Sequence, residues 1–225
     1  MKIAIYTLPF TWNYGGILQA YALKHYLKSL GHNVEIINRR TDTHNLFINL
    51  CKKIKWSVIP FLYHTRIFNK QPLISVESFK QKYLTEQSPL IFSSNQLKKY
   101  CNQQHFDAII VGSDQIWRYG SAQNICDSFL HFVNGKPIKI AYAISFGNDV
   151  WNYPIDVTEK CKKYIKDFDI VTTRELSGVK LCQQFLSTKA YHVLDPTFLI
   201  DKKIYEEIAN SQKNIITQGI YTYIL

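Results

Sequence analysis

The residues best suited to chemistry fall in five short clusters: Asn13-Tyr14-Gly15-Gly16, Gly112-Ser113-Asp114-Gln115, Ser145-Phe146-Gly147, Arg174-Glu175 and Leu194-Asp195-Pro196. Paired glycines opening a helix let backbone N–H groups approach phosphate or carboxylate at its positive end, although a Gly-Gly pair also serves plain turn chemistry. Ser113, Asp114 and Gln115 bring a hydroxyl, a carboxylate and an amide together, with an indole following at Trp117. Asp114 capping a helix and Trp117 packing in the core is the structural alternative. Ser145 before Gly147 reads as a ligand hydroxyl or as a hydrogen-bonded turn serine. Arg174 can clamp a carboxylate or phosphate through two parallel hydrogen bonds, or pair with neighbouring carboxylates. Asp195, fixed before a proline, suits either chemistry or the ordering of a corner.

These clusters need a scaffold that gathers them, and the apolar pattern supplies one. Lys2–Tyr6 reads as a strand; Ile17, Ala20, Leu23, Leu27 and Leu30 stripe a helix ended by Gly31; Asn33–Asn38 is a second strand. That is a βαβ unit. The alternation resumes with a helix near Asn95–Gln103, a strand at Ala108–Val111 and a continuous buried strand at Ile138–Ile144. A helix capped by Asp156 with Glu159 as capping-box partner follows, striped by Val157, Cys161, Tyr164 and Phe168. A strand at Ile170–Thr172, a helix at Glu175–Leu186, a strand at Tyr191–Leu194 and a short helix capped by Asp201 complete the series. Such alternation specifies an α/β fold, a doubly wound Rossmann-like parallel sheet, and each cluster falls just past the carboxyl end of a strand, where such sheets bind ligands.

Composition narrows the classes of function. In 225 residues, 27 Lys and Arg against 17 Asp and Glu give a formal net charge of +10, which favours anionic partners. The basic residues are spread over separate helices and not gathered with exposed aromatics, so no nucleic-acid partner is expected. Five cysteines without a C-x-x-C pair indicate free thiols in a reducing cytosol, and seven histidines at irregular intervals make no metal pattern. Neither a Walker A loop nor G-x-G-x-x-G is present, which leaves nucleotide hydrolysis and dehydrogenation without support. Met1–Tyr6 reads as a strand, with no secretion signal evident, so a cytoplasmic location is expected. Residues 46–68 mix aromatics with Lys52, Lys53 and Lys55; they cannot span a bilayer and read either as a packed excursion or as peripheral contact with the inner face of a membrane.

Taken in order and spacing, Tyr14–Leu23, Val111–Trp117, Ala141–Gly147, Thr173–Glu175 and Leu194–Pro196 resemble the polysaccharide pyruvyl transferases. The resemblance implies the N-terminal half of a two-domain, glycosyltransferase-B-like enzyme, with residues 1–210 as the Rossmann-like domain and 211–225 as the crossing into an incomplete second domain. It implies transfer of the enolpyruvyl group of phosphoenolpyruvate to a sugar as a ketal, in capsule, exopolysaccharide or cell-wall polymer synthesis. No cofactor beyond the phosphoenolpyruvate donor and no metal is required. By resemblance Arg174 contacts the donor's anionic groups, while Asn13–Gly16 and Ser113–Gln115 line the cleft. Asp114 or Glu175 orients or deprotonates a sugar hydroxyl. The family's second domain, with its proposed acid histidine, has no match here, so little transfer is expected from this chain alone, and a second chain is expected to complete the cleft. The acceptor sugar is expected to be nucleotide- or lipid-linked. Two other readings remain open: a non-catalytic Rossmann-like domain that binds an anionic sugar nucleotide or a partner chain, and a glycosyltransferase using a nucleotide-sugar donor.

Overall fold

A computed structural model of the protein describes residues 1–10, 13–40, 71–133, 135 and 137–210. The expected membrane-contacting stretch 46–68 and the interdomain crossing 211–225 lie outside the described residues, as do Thr11, Trp12 and Cys51.

Among the described residues six parallel strands form the centre: β1 (Lys2–Tyr6), β2 (Asn33–Ile37), β3 (Ala108–Val111), β4 (Ile138–Ile144), β5 (Ile170–Thr173) and β6 (Tyr191–His192). Their spatial order is β2-β1-β3-β4-β5-β6. The chain steps outward from β1 to β2 and then returns to continue on the other side from β3. The order therefore reverses between β1 and β3, which is the topological switch point of a doubly wound α/β sheet.

Side chains alternate across the sheet and divide the core in two. Ile3, Ile5, Val34, Ile36, Ala108 and Ile110 face α1 (Tyr14–Ser29), α2 (Gln71–Tyr83) and, through Ile204 and Ile208, the last helix among the described residues, α7 (Lys202–Asn210). Ala4, Tyr6, Ile109, Val111, Ala141 and Ile144 face α3 (Ser94–Gln104), α4 (Ile125–Ser128), α5 (Ile155–Tyr164) and α6 (Leu176–Leu186). None of the helices among the described residues is long and apolar enough to cross a membrane.

Three local expectations are corrected. The N-cap of α5 is Pro154, without a side-chain cap bond; Asp156 lies inside the first turn and pairs with Lys160 at 3.3 Å, four residues on. Instead of being continuously buried, β4 alternates, because Ile140 and Tyr142 lie on the side where their packing partners leave them partly exposed. The last strand ends at His192, since Val193 donates to Thr173 and the chain then turns at Asp195, leaving Leu194 62% exposed. Cys101, Cys126, Cys161 and Cys182 are free thiols.

Candidate functional site at the switch point

The segment after β1 enters α1 through Asn13, whose side chain accepts the Gly16 N–H at 3.2 Å. This cap satisfies one of the helix's otherwise unpaired donors and fixes the glycine pair against the rim of the sheet. Gly16 then meets the segment after β3 directly: a Cβ added there would lie 2.8 Å from Asp114 Oδ2. A Cβ on Gly15 would lie 3.3 Å from Asn13 Oδ1. The glycines serve close approach here. Tyr14 is exposed on the first turn of the helix. Below them Gln19, buried, donates to Thr7 Oγ1 at 3.1 Å and to Gly16 O at 2.8 Å, bracing both ends of the β1–α1 connection.

Asp114 does not cap a helix. Its Oδ1 accepts the Gln115 N–H at 2.7 Å, and its own carbonyl accepts the Ser145 N–H at 3.0 Å. The Trp117 N–H returns to Ser145 O at 3.2 Å, so the connections after β3 and β4 are laced together. The strand irregularity that permits this is a bulge in β4. Ala143 adopts φ +50°, and Thr172 Oγ1 accepts the Ala143 N–H at 2.8 Å while donating to Ala141 O at 3.0 Å. A left-handed non-glycine residue is uncommon, and the bulge re-aims the residues beyond it towards the β3 rim. Trp117 is fully buried, stacked on Phe129, with its indole N–H on Ser128 O at 2.9 Å.

Ser113 and Ser145 lie beneath the rim, both almost fully buried; Ser145 Oγ accepts the Gly147 N–H at 2.9 Å. Ser113 Oγ donates to Asp195 Oδ2 at 2.8 Å, and Asp195 Oδ1 accepts Thr197 N–H at 3.0 Å and Thr197 Oγ–H at 2.8 Å. Arg174 joins the same carboxylate through a terminal nitrogen at 3.2 Å and places Nε 3.1 Å from Glu175 Oε1. The guanidinium is thus shared between two carboxylates. Burial pushes the Asp114 carboxyl above its ordinary range, and Asp195 adds to that effect; Gln115 N–H and the charge of Arg174 pull against it.

In front of Asp114 lies a cavity of about 280 Å³ whose walls include Phe10, Asn13, Gly16, Asp114, Gln115 and Ser121. It opens at the switch point, between the carboxyl ends of β1 and β3. A larger hollow of about 420 Å³ is lined by His105 and Asp107, just before β3, and so lies at the amino ends of the strands, where it gathers none of the clustered residues.

The order of these segments has a counterpart among known proteins. A family model described as polysaccharide pyruvyl transferase matches residues 13–224. The chain belongs to that family. No curated protein matches it. In this pyruvyl transferase family member the match runs through every cluster named above, from the Asn13 cap to the Asp195 corner.

Arg39, just past β2, is a rim residue that the sequence clusters did not include. Its guanidinium is buried on Asp127, with Nε and a terminal nitrogen each 3.3 Å from Oδ2, and a second terminal nitrogen donates to Arg40 O at 2.6 Å. It closes a narrow slot of about 20 Å³ that shares Leu8, Pro9 and Ser121 with the main cavity. Its position after a strand was visible in the sequence. Its partner, 88 residues away, was not.

Proposed function

We propose that the protein transfers the enolpyruvyl group of phosphoenolpyruvate to two hydroxyls of a sugar, forming a pyruvate ketal during cell-surface polysaccharide synthesis. The observation that carries this reading is the meeting of Gly16 and Asp114 across the switch point, in a matched family segment and at the wall of a cavity large enough for a three-carbon donor.

The reaction adds a proton to the donor's methylene carbon, making it a methyl group and leaving a cationic C2. One sugar oxygen bonds to C2, the C–O bond to phosphate breaks, and the second sugar oxygen closes the ketal. The two hydroxyl protons balance the proton on carbon and the one carried away by phosphate. Asp114 is suited to proton transfer because its environment favours retention of a proton and its Oδ2 faces Gly16 at the cavity wall. Glu175, half-buried beside Arg174, orients an acceptor hydroxyl. Arg174 holds Glu175 and Asp195 in register and so positions the rim. Backbone at the start of α1 offers the positive end of a helix to the donor.

The test is release of phosphate from phosphoenolpyruvate in the presence of candidate sugar acceptors, with the ketal methyl group followed by NMR. Acceptor-dependent release that disappears in Asp114→Asn supports the reading. Release of a nucleoside diphosphate from a nucleotide-sugar, with none of phosphate from phosphoenolpyruvate, replaces it with glycosyl transfer.

A further inference from the structure

A donor carrying both a carboxylate and a phosphate needs a cation whose charge is not already balanced. The arginine expected to serve, Arg174, faces Glu175 at 3.1 Å and Asp195 at 3.2 Å, so its surroundings carry net negative charge. Arg39 is buried on Asp127. Arg40 lines the slot of about 20 Å³, which has room for about one water and not for a phosphoryl group.

Arg118 differs from all three. It is exposed, and among the described residues no carboxylate lies within ion-pair distance of it. Its guanidinium donates to Gln115 Oε1 at 3.1 Å, and Gln115 is part of the cavity wall beside Asp114. The backbone sets this up: Arg118 N–H bonds to Gln115 O at 3.0 Å, and Ser121 N–H bonds to Arg118 O at 3.1 Å, so Arg118 is tied to two residues of that wall. The side chain crosses Gly147. A Cβ on Gly147 would lie 2.9 Å from both Arg118 Cδ and Gln115 Oε1, and Gly147 sits at φ +75°. Glycine is required there twice over, by its backbone conformation and by the stem of Arg118.

We infer that Arg118 is the donor-binding cation of this site, poised on Gln115 and transferring its hydrogen bonds to the anionic groups of phosphoenolpyruvate when the donor enters the cavity beside Asp114. This deepens the proposed function and rests on its choice of donor. Arg174 is then a positioning residue for the carboxylates of the rim.

Calorimetric titration of phosphoenolpyruvate into the unaltered protein, Arg118→Gln and Arg118→Lys decides the matter. Loss of a charge-assisted contact weakens binding about ten- to a hundredfold, so Arg118→Gln is expected to show that loss, Arg118→Lys to recover a large part of it, and all three proteins to unfold at the same urea concentration. Equal affinity for the unaltered protein and Arg118→Gln overturns the inference and leaves the donor reading intact. A loss in Arg118→Gln accompanied by a matching fall in stability also overturns it, since the residue would then act through the fold. Absence of binding by the unaltered protein overturns the donor reading itself, and the inference with it.

Discussion

Ser113 Oγ donates to Asp195 Oδ2 at 2.8 Å, a contact that spans 82 residues and joins the end of β3 to the corner after β6. The same carboxylate collects Arg174 and both donors of Thr197. One residue therefore orders the far half of the rim, from β3 across β5 to β6.

Replacing that residue should cost fold and site together. Asp195→Ala leaves the buried Ser113 hydroxyl without its acceptor and removes one of the two carboxylates that hold Arg174. A loss of about 2–4 kcal/mol is expected from urea unfolding, against about 1 kcal/mol for Ser113→Ala, which removes only one hydrogen bond.

Gly16→Ala separates stability from binding. The added methyl displaces Asp114, because 2.8 Å to Oδ2 is closer than a carbon and an oxygen can settle. Alanine is otherwise a better helix residue than glycine, so the unfolding free energy from urea titration should change by no more than about 1 kcal/mol while affinity for phosphoenolpyruvate falls roughly tenfold. Gly15→Ala, with 3.3 Å to Asn13 Oδ1, should give a smaller loss of affinity in the same titration.

The raised carboxyl of Asp114 gives a pH signature with a definite sign. A carboxyl that holds its proton more tightly when folded than when unfolded favours the fold at low pH; the fold loses that advantage as pH rises from the unfolded pKa through the folded one. Asp114→Asn removes the cost of carrying the charge. Its stability relative to the unaltered protein should therefore rise as pH climbs through and above the carboxylate range and stay level at higher pH, in urea titrations run across that range. Transfer activity should be lost throughout.

Arg39 and Asp127 test the buried charge pair under the rim. Asp127→Asn leaves a guanidinium only 8% exposed without a countercharge, and a loss of about 3–5 kcal/mol is expected in chemical unfolding. The double replacement Arg39→Met with Asp127→Leu should recover much of that loss, because no charge remains buried.

The spacing of apolar residues was enough to locate β1 at Lys2–Tyr6 and β3 at Ala108–Val111, since short apolar runs between polar breaks have few other ways to fold. The rule that ligands gather beyond strand ends brought Gly16 and Asp114 into one expected cleft, and they do meet. The bulge was not legible: nothing in Tyr142-Ala143-Ile144 signals a left-handed residue, and the hydroxyl that stabilises it comes from Thr172 on the next strand. The double engagement of Arg174 was half legible. Glu175 is its sequence neighbour, whereas Asp195 reaches it only because β5 and β6 lie side by side. The cap of α5 was misplaced because Asp156 and Glu159 have capping-box spacing, yet the helix begins two residues earlier than that cap requires, at Ile155 after Pro154.

β1 sits between β2 and β3, and its second neighbour begins at Ala108. As the polypeptide leaves the ribosome, the opening strand therefore waits for roughly 100 further residues, about 5–20 s at ordinary rates of synthesis, before that side of it can pair. Until then Ile3, Ala4 and Ile5, which end up in the middle of the molecule, have an open edge, and the nascent protein presents it to whatever chaperone or neighbour is nearby.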